Sequence, residues 1–174
     1  MIFASLVFLE TEMNTYFQQA INNNETQVIL SPVVNQDGPL PLSIENKTII
    51  TLVNIEEDIQ HENIPPVTRR GGNTTPPYVI NLYVLFSAFF SAANYKESLK
   101  HISLVLSFFK ERPVFTAAHS PGLDKPIEKI SIEIVNLDAE KLNYTWAALG
   151  AKYMPSVVYK LHITGSNTGS IQNV

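Results

Sequence analysis

Tyr78-Val-Ile-Asn-Leu-Tyr-Val-Leu-Phe-Ser-Ala-Phe-Phe90 leads, after Ser91-Ala92-Ala93, into Asn94-Tyr95-Lys96-Glu97 and a run that ends at Pro113. In the first part Ile80, Leu82, Val84, Phe86 and Ala88 alternate with Val79, Asn81, Tyr83, Leu85 and Ser87. Both sets are largely apolar, which predicts a central strand covered on both faces. An Asn with a Glu three residues on reads as a capping-box-like helix start. The predicted helix runs from Asn94 to about Arg112 with Leu99, Ile102, Leu106 and Phe109 on one face, widened by Leu104, Val105 and Phe108. Pro113 stops it, because proline cannot continue the backbone hydrogen-bond ladder. A helix this apolar beside a two-sided strand already implies layered packing.

The pattern extends in both directions. Ile2, Leu6, Leu9, Met13, Phe17 and Ile21 recur at i+3 and i+4, predicting a helix over 2–22 that Asn22-Asn23-Asn24 ends. Val28-Ile29-Leu30 is a short strand, and Asp37-Gly38 marks a turn. Lys47 to Glu56 is a second strand; it does not alternate cleanly, so both its faces are expected to be partly covered. Asp58 to Pro77 holds two Pro-Pro pairs, Arg69-Arg70 and Gly71-Gly72 with no periodicity, and reads as a projecting loop. Val114 to Thr116 is a short strand, and Ile127 to Leu137 alternates Ile130, Ile132 and Ile134 against Glu128, Ser131 and Glu133. Asp138 caps a short helix in which Leu142, Trp146 and Leu149 share a face. Gly150 suits a left-handed end, Pro155 blocks resumption, and Val157 to Ile163 forms the last strand.

The order is α, β, β, β, α, β, β, α, β. It predicts an α+β domain with a mixed, mainly antiparallel sheet, two long helices packed on one face and a short third helix. Residues 1–164 are expected to form one domain and the Gly- and Ser-rich 165–174 a flexible tail.

Composition narrows the function. The chain has 174 residues, enough for one core without metal or disulfide staples. Charged residues make up 16%, against roughly a quarter in an average domain. Such a surface is either rich in Asn, Ser and Thr or partly covered by a partner. The formal charge is −4 and the basic residues are scattered, which argues against a nucleic-acid surface. With no cysteine there is no disulfide framework and no thiolate metal site. The four glycosylation-type sequons, at Asn24, Asn46, Asn73 and Asn143, are what chance gives in an Asn-rich chain. The apolar start lacks a basic leader, meets Glu10 and Glu12 at once, and is too short to span a bilayer. It reads as helix rather than signal peptide, so synthesis in a cytoplasm is expected.

Reactive chemistry is sparse. His61, His101, His119 and His162 are isolated in sequence, and a catalytic base needs a positioned partner. His119-Ser120 invites a small-hydrolase reading, but no nucleophile-elbow pattern surrounds Ser120 and the stretch reads as a turn. Glu56-Glu57-Asp58 lacks cation-loop spacing, and Gly71-Gly72 lacks the following Lys of a phosphate loop. No catalytic residue, cofactor or metal is therefore expected. Arg69 and Arg70, on a long loop of an acidic chain, are the best anchors for a neighbour's carboxylates.

Several ordered stretches carry a resemblance. They are Val34-Asn35-Gln36-Asp37-Gly38; Glu45-Asn46-Lys47 leading into Ile50-Thr51-Leu52-Val53-Asn54-Ile55-Glu56-Glu57; Asn81 to Ala88; Asn94-Tyr95 with Ser107-Phe108-Phe109; Val114-Phe115-Thr116; Ser120-Pro121-Gly122-Leu123; Glu133 to Leu137; and Trp146 to Val157. In this order they resemble the cap, or tail-terminator, proteins of extracellular contractile injection systems, which are phage-tail-like particles. The resemblance implies a hexameric ring at the baseplate-distal end. It would contact the inner tube protein and the sheath protein and stop both from growing, with no nucleic-acid or membrane partner. Arg69, Arg70, Gly71, Gly72 and Asn73 of the loop, and Thr164, Gly165 and Ser166 at the start of the tail, are the expected partner-binding residues. A tail-completion or head–tail connector protein of a contractile phage is the nearest alternative.

Overall fold

The structure, a computed structural model, describes residues 1–35, 44–58 and 78–165. Its elements are α1 (Ile2–Ile21), β1 (Val28–Leu30), β2 (Lys47–Glu57), β3 (Tyr78–Phe89), α2 (Tyr95–Glu111), β4 (Val114–Thr116), β5 (Ile127–Val135), α3 (Ala139–Leu149) and β6 (Ser156–Gly165). This is the predicted order. One six-stranded sheet runs β1-β2-β3-β6-β5-β4, with β1 parallel to β2 and every other pair antiparallel.

The two long helices cover one face. Leu6, Leu9, Met13 and Phe17 of α1 and Val105, Phe108 and Phe109 of α2 pack on Ile80, Leu82, Val84 and Phe86 of β3 and on Tyr159, Leu161 and Ile163 of β6. Phe86, Phe109 and Tyr159 meet ring to ring at 4.5–5.8 Å between centroids. Aromatic pairs of this kind add about 0.5–1.5 kcal/mol each beyond the area they bury. The opposite face has a smaller core, where Trp146 of α3 packs with Leu85, Val158 and Val33. The Asp138 carboxylate accepts from Lys141 N at 2.8 Å, and Gly150 ends α3 at φ 66. Both ends of this helix are as the sequence predicts.

Three expectations are corrected. The buried face of α2 is Ser98, His101, Val105, Phe108 and Phe109, while Leu99 and Leu106 are 46% and 41% exposed. Two polar residues occupy inward positions because both are satisfied there: Ser98 Oγ donates to Tyr95 O at 2.6 Å, and His101 Nδ1 shares a 3.0 Å hydrogen bond with Thr48 Oγ1. Asn94 does not cap α2 with its side chain. A 3-10 turn over Ala92–Asn94 runs straight into the helix, and Asn94 Nδ2 donates to Asn46 Oδ1 instead. Finally, β2 is covered on both faces only up to Thr51; from Val53 to Glu57 it is exposed.

The irregular alternation of β2 has a local cause. Leu52 pairs with Val84 and Asn54 with Tyr83, which leaves Val53 as an extra residue in a bulge. Even-numbered residues before it face the helices. After it, Asn54 and Glu56 lie on the opposite face.

Candidate assembly surface

α3 covers only half of its side of the sheet. Towards the end where β6 finishes, the same face carries polar side chains in cross-strand rows. One row is Asn54, Tyr83, Lys160 and Glu133; the next is Glu56, Asn81, His162, Ser131 and Val114; the third is Val79, Thr164, Lys129 and Thr116. The Tyr83 hydroxyl donates to Glu56 Oε2 at 2.9 Å, and Lys160 Nζ lies 5.9 Å from the Tyr83 ring centre. Partial burial, and then the Glu56 carboxylate, push the Tyr83 phenol above its usual range. His162 Nδ1 donates to the buried Asn81 Oδ1 at 2.8 Å and stands 3.6 Å from Asp58 Oδ2. Ser131, Glu133, Lys160 and His162 line a hollow of about 230 Å³.

Asp58 just beyond β2, His162 on β6 and Ser131 on β5 bring an acid, an imidazole and a hydroxyl to one face, yet they do not make a hydrolytic site. No hydrogen bond joins Ser131 to His162 among the described residues. His119 and Ser120 are likewise parts of a turn: His119 Nδ1 meets Thr116 Oγ1 at 3.0 Å, and both backbone N–H groups donate to Thr116 O. The arrangement suits recognition by many weak polar contacts.

The two margins of the sheet differ. β1 is sealed by α1: Asn14 Oδ1 accepts from Gln27 N and Val28 N, Asn14 Nδ2 donates to Val28 O, and Glu10 Oε1 accepts from Leu30 N. These side chains occupy the backbone groups that a further strand would need. β1 stops at Leu30, opposite Ile50, so the later part of β2 has no strand beside it among the described residues. β4, at the far margin, pairs only with β5 among the described residues.

Of the expected partner-binding residues, Arg69, Arg70, Gly71, Gly72, Asn73 and Ser166 lie outside the described residues, as does His61. Thr164 and Gly165 lie at the end of β6, paired on both sides, so Gly165, expected to open the flexible tail, belongs to the strand. Thr164 meets Val79 and Lys129, and Gly165 meets Tyr78 and Ile127. A side chain at Gly165 would stand 2.6 Å from Pro126 O and 2.9 Å from Met1, so close approach fixes this glycine. The segments 59–77 and 166–174 both connect to this end of the sheet, because Asp58, Tyr78 and Gly165 lie there on neighbouring strands. The Asp58–His162–Asn81 and Glu56–Tyr83 clusters are not legible in the sequence. Their signal was polar residues at the end of β2 and at alternate positions of β3 and β6, which only strand pairing brings together. No helix among the described residues is long and apolar enough to cross a membrane.

The fold superposes on the sheath/tube terminator of a PVC extracellular contractile injection system in its extended state, with a TM-score of 0.62 at 15% identity. The match takes in 100% of this chain and 59% of that one, so the chain spans about three fifths of the terminator's length. It also superposes on the tube-terminating cap of the anti-feeding prophage, with a TM-score of 0.52 at 14% identity over 93% of this chain and 55% of that one. No curated protein sequence matches it. The profile of the Pvc16 N-terminal domain matches residues 7–165 of the 174. The chain therefore belongs to the Pvc16 N-terminal domain family.

Proposed function

We propose that this chain is a structural terminator of a contractile injection particle. It forms a hexameric ring at the baseplate-distal end, seats on the last ring of inner tube protein, touches the end of the sheath, and stops both from growing. The reading rests on one observation above all: family membership over residues 7–165, together with a fold shared along the whole chain with a sheath/tube terminator. The physical logic agrees. A growing tube or sheath exposes a complementary surface at its tip, and a ring that binds this tip without presenting a copy of it on the far side ends polymerisation. The role is architectural, not catalytic. The chain is made in a bacterial cytoplasm and leaves the cell as part of the particle.

The contacts to tube and sheath are assigned to Arg69, Arg70, Gly71, Gly72 and Asn73 and to Ser166, with Thr164 adding its side chain on the polar half-face. Gly165 has a packing role. Deletion of residues 60–76 tests the assignment. The shortened chain is expected to keep its melting temperature within a few degrees and to yield tubes of uncontrolled length in electron micrographs. Normal particle lengths would remove the segment from the interface. Particles whose ends carry no density for this chain would remove the terminator reading itself.

A further inference from the structure

We infer that copies of this chain join through their sheets, with β4 of one copy lying parallel to the exposed end of β2 of the next. The inference rests on the ring reading above and identifies the surface that closes it. Three features of the fold lead to it.

The first is backbone direction. Asp58 N donates to Val79 O at 3.3 Å, so Glu56 and Asp58 turn their backbone groups towards β3, while Ile55 and Glu57 turn theirs to the open margin. At the other margin Ile132 N donates to Pro113 O and Ala117 N to Glu128 O, so Val114 and Thr116 face outward. A strand placed in parallel register with Val114 opposite Glu56 then satisfies both margins. Val114 N–H meets Ile55 C=O, Glu57 N–H meets Val114 C=O, and Thr116 N–H meets Glu57 C=O. The Thr116 carbonyl is excluded because it already accepts from His119 N and Ser120 N.

The second is level. Glu56 and Val114 are the two ends of a single cross-strand row through Asn81, His162 and Ser131. The successive antiparallel pairings make β2 and β4 run in the same direction. Two margins at one level, with one strand direction, join by rotation without axial rise. That operation closes a ring instead of building a helix.

The third is chemistry. Ile55 and Val114 are 48% and 46% exposed, an unusual exposure for apolar strand residues at a margin. Glu56, Glu57 and Asp58 make the β2 end acidic, and Lys129 flanks Thr116 in the row level with Asp58. The opposite choice, pairing through β1, is closed by Asn14 and Glu10.

The chain has no cysteine, so introduced thiols report cleanly. Facing residues on adjacent strands have Cβ atoms about 4.5–5.5 Å apart, close enough for a disulfide with a small adjustment. The double variant Glu56→Cys with Val114→Cys, oxidised and run without reductant, is expected to give a ladder in steps of one chain ending at the ring. Each single variant should give no band beyond a dimer. Val114→Lys, with an unchanged circular dichroism spectrum and melting temperature, is expected to weaken assembly at least tenfold by native mass. A wild-type oligomer whose double-cysteine form gives no ladder overturns this interface and leaves the ring reading standing. A chain that stays monomeric at tens of micromolar overturns both.

Discussion

Lowering the pH from 7 to 5 should destabilise the fold through a single side chain, His101. The imidazole is 5% exposed on α2, with its ring 5.4 Å from Phe17 and 4.7 Å from Phe90 between centroids. Burial lowers its pKa from 6.5 to about 4, with Glu97 pulling weakly the other way. Between these two values the unfolded chain binds the proton and the folded chain does not, so stability falls as pH falls. The contribution is fully present above pH 6.5 and is lost progressively towards pH 4. At pH 5 the two proton-binding polynomials differ by a factor of about 30, which is at most about 2 kcal/mol. For a domain of this size that corresponds to a drop in melting temperature of roughly 4–8 °C. The assay is a pair of thermal melts, at pH 7 and pH 5, on the wild type and on His101→Gln. Surface carboxylates titrate in both proteins and cancel in the difference. The variant should start lower and lose about 2 kcal/mol less. Equal pH slopes in the two proteins, or a His101 ring titrating near pH 6.5 by NMR, would refute the reasoning.

Further tests concern packing. Trp146→Ala should cost about 3–5 kcal/mol in chemical denaturation, as for a large buried aromatic, and near-wild-type stability would make Trp146 a surface contact. Trp146→Phe should cost much less than its lost volume suggests, because the buried indole Nε1 has no hydrogen-bond partner to lose among the described residues. Gly165→Ala forces a Cβ to within 2.6 Å of Pro126 O, and a loss of about 1–3 kcal/mol is expected in thermal melts; an unchanged melt would mean that the β5–β6 end yields freely. Asn14→Ala strips three backbone groups of their partners and should cost more than about 2 kcal/mol. It should also raise light scattering by opening the β1 margin, and a stable, non-aggregating variant would count against the sealing role.

The element order was legible because local signals agreed with the global packing. Pro113, Gly150 and Asn22 stop helices where the chain must turn, and the two apolar sets of β3 place it inside the sheet. The face of α2 was not legible. Ranking residues by hydropathy favours Leu99 and Leu106, and only the partners of Ser98 and His101 reveal that polar groups hold the inward positions. The extent of β6 was hidden for a related reason. Gly165 looks like the start of a loose tail, whereas its lack of a side chain is what lets β6 pass beneath Met1 and Pro126. The polar half-face was not legible because its members come from five strands, and periodicity within one strand carries no information about its neighbours.

The bulge at Val53 works as a phase shifter. One surplus residue swaps odd for even along the rest of β2, which sends Asn54 and Glu56 to the open side and keeps Ile55 on the helix side. Straightening the strand with Val53 kept would slip the register by one: the carboxylate that holds the Tyr83 phenol would point at the apolar layer, and an isoleucine would stand in its place. Deleting Val53 itself would leave every later pair intact, because Asn54 would then follow Leu52 in plain alternation. A relative of this chain one residue shorter at this point can therefore lose the bulge and still turn the same side chains outward.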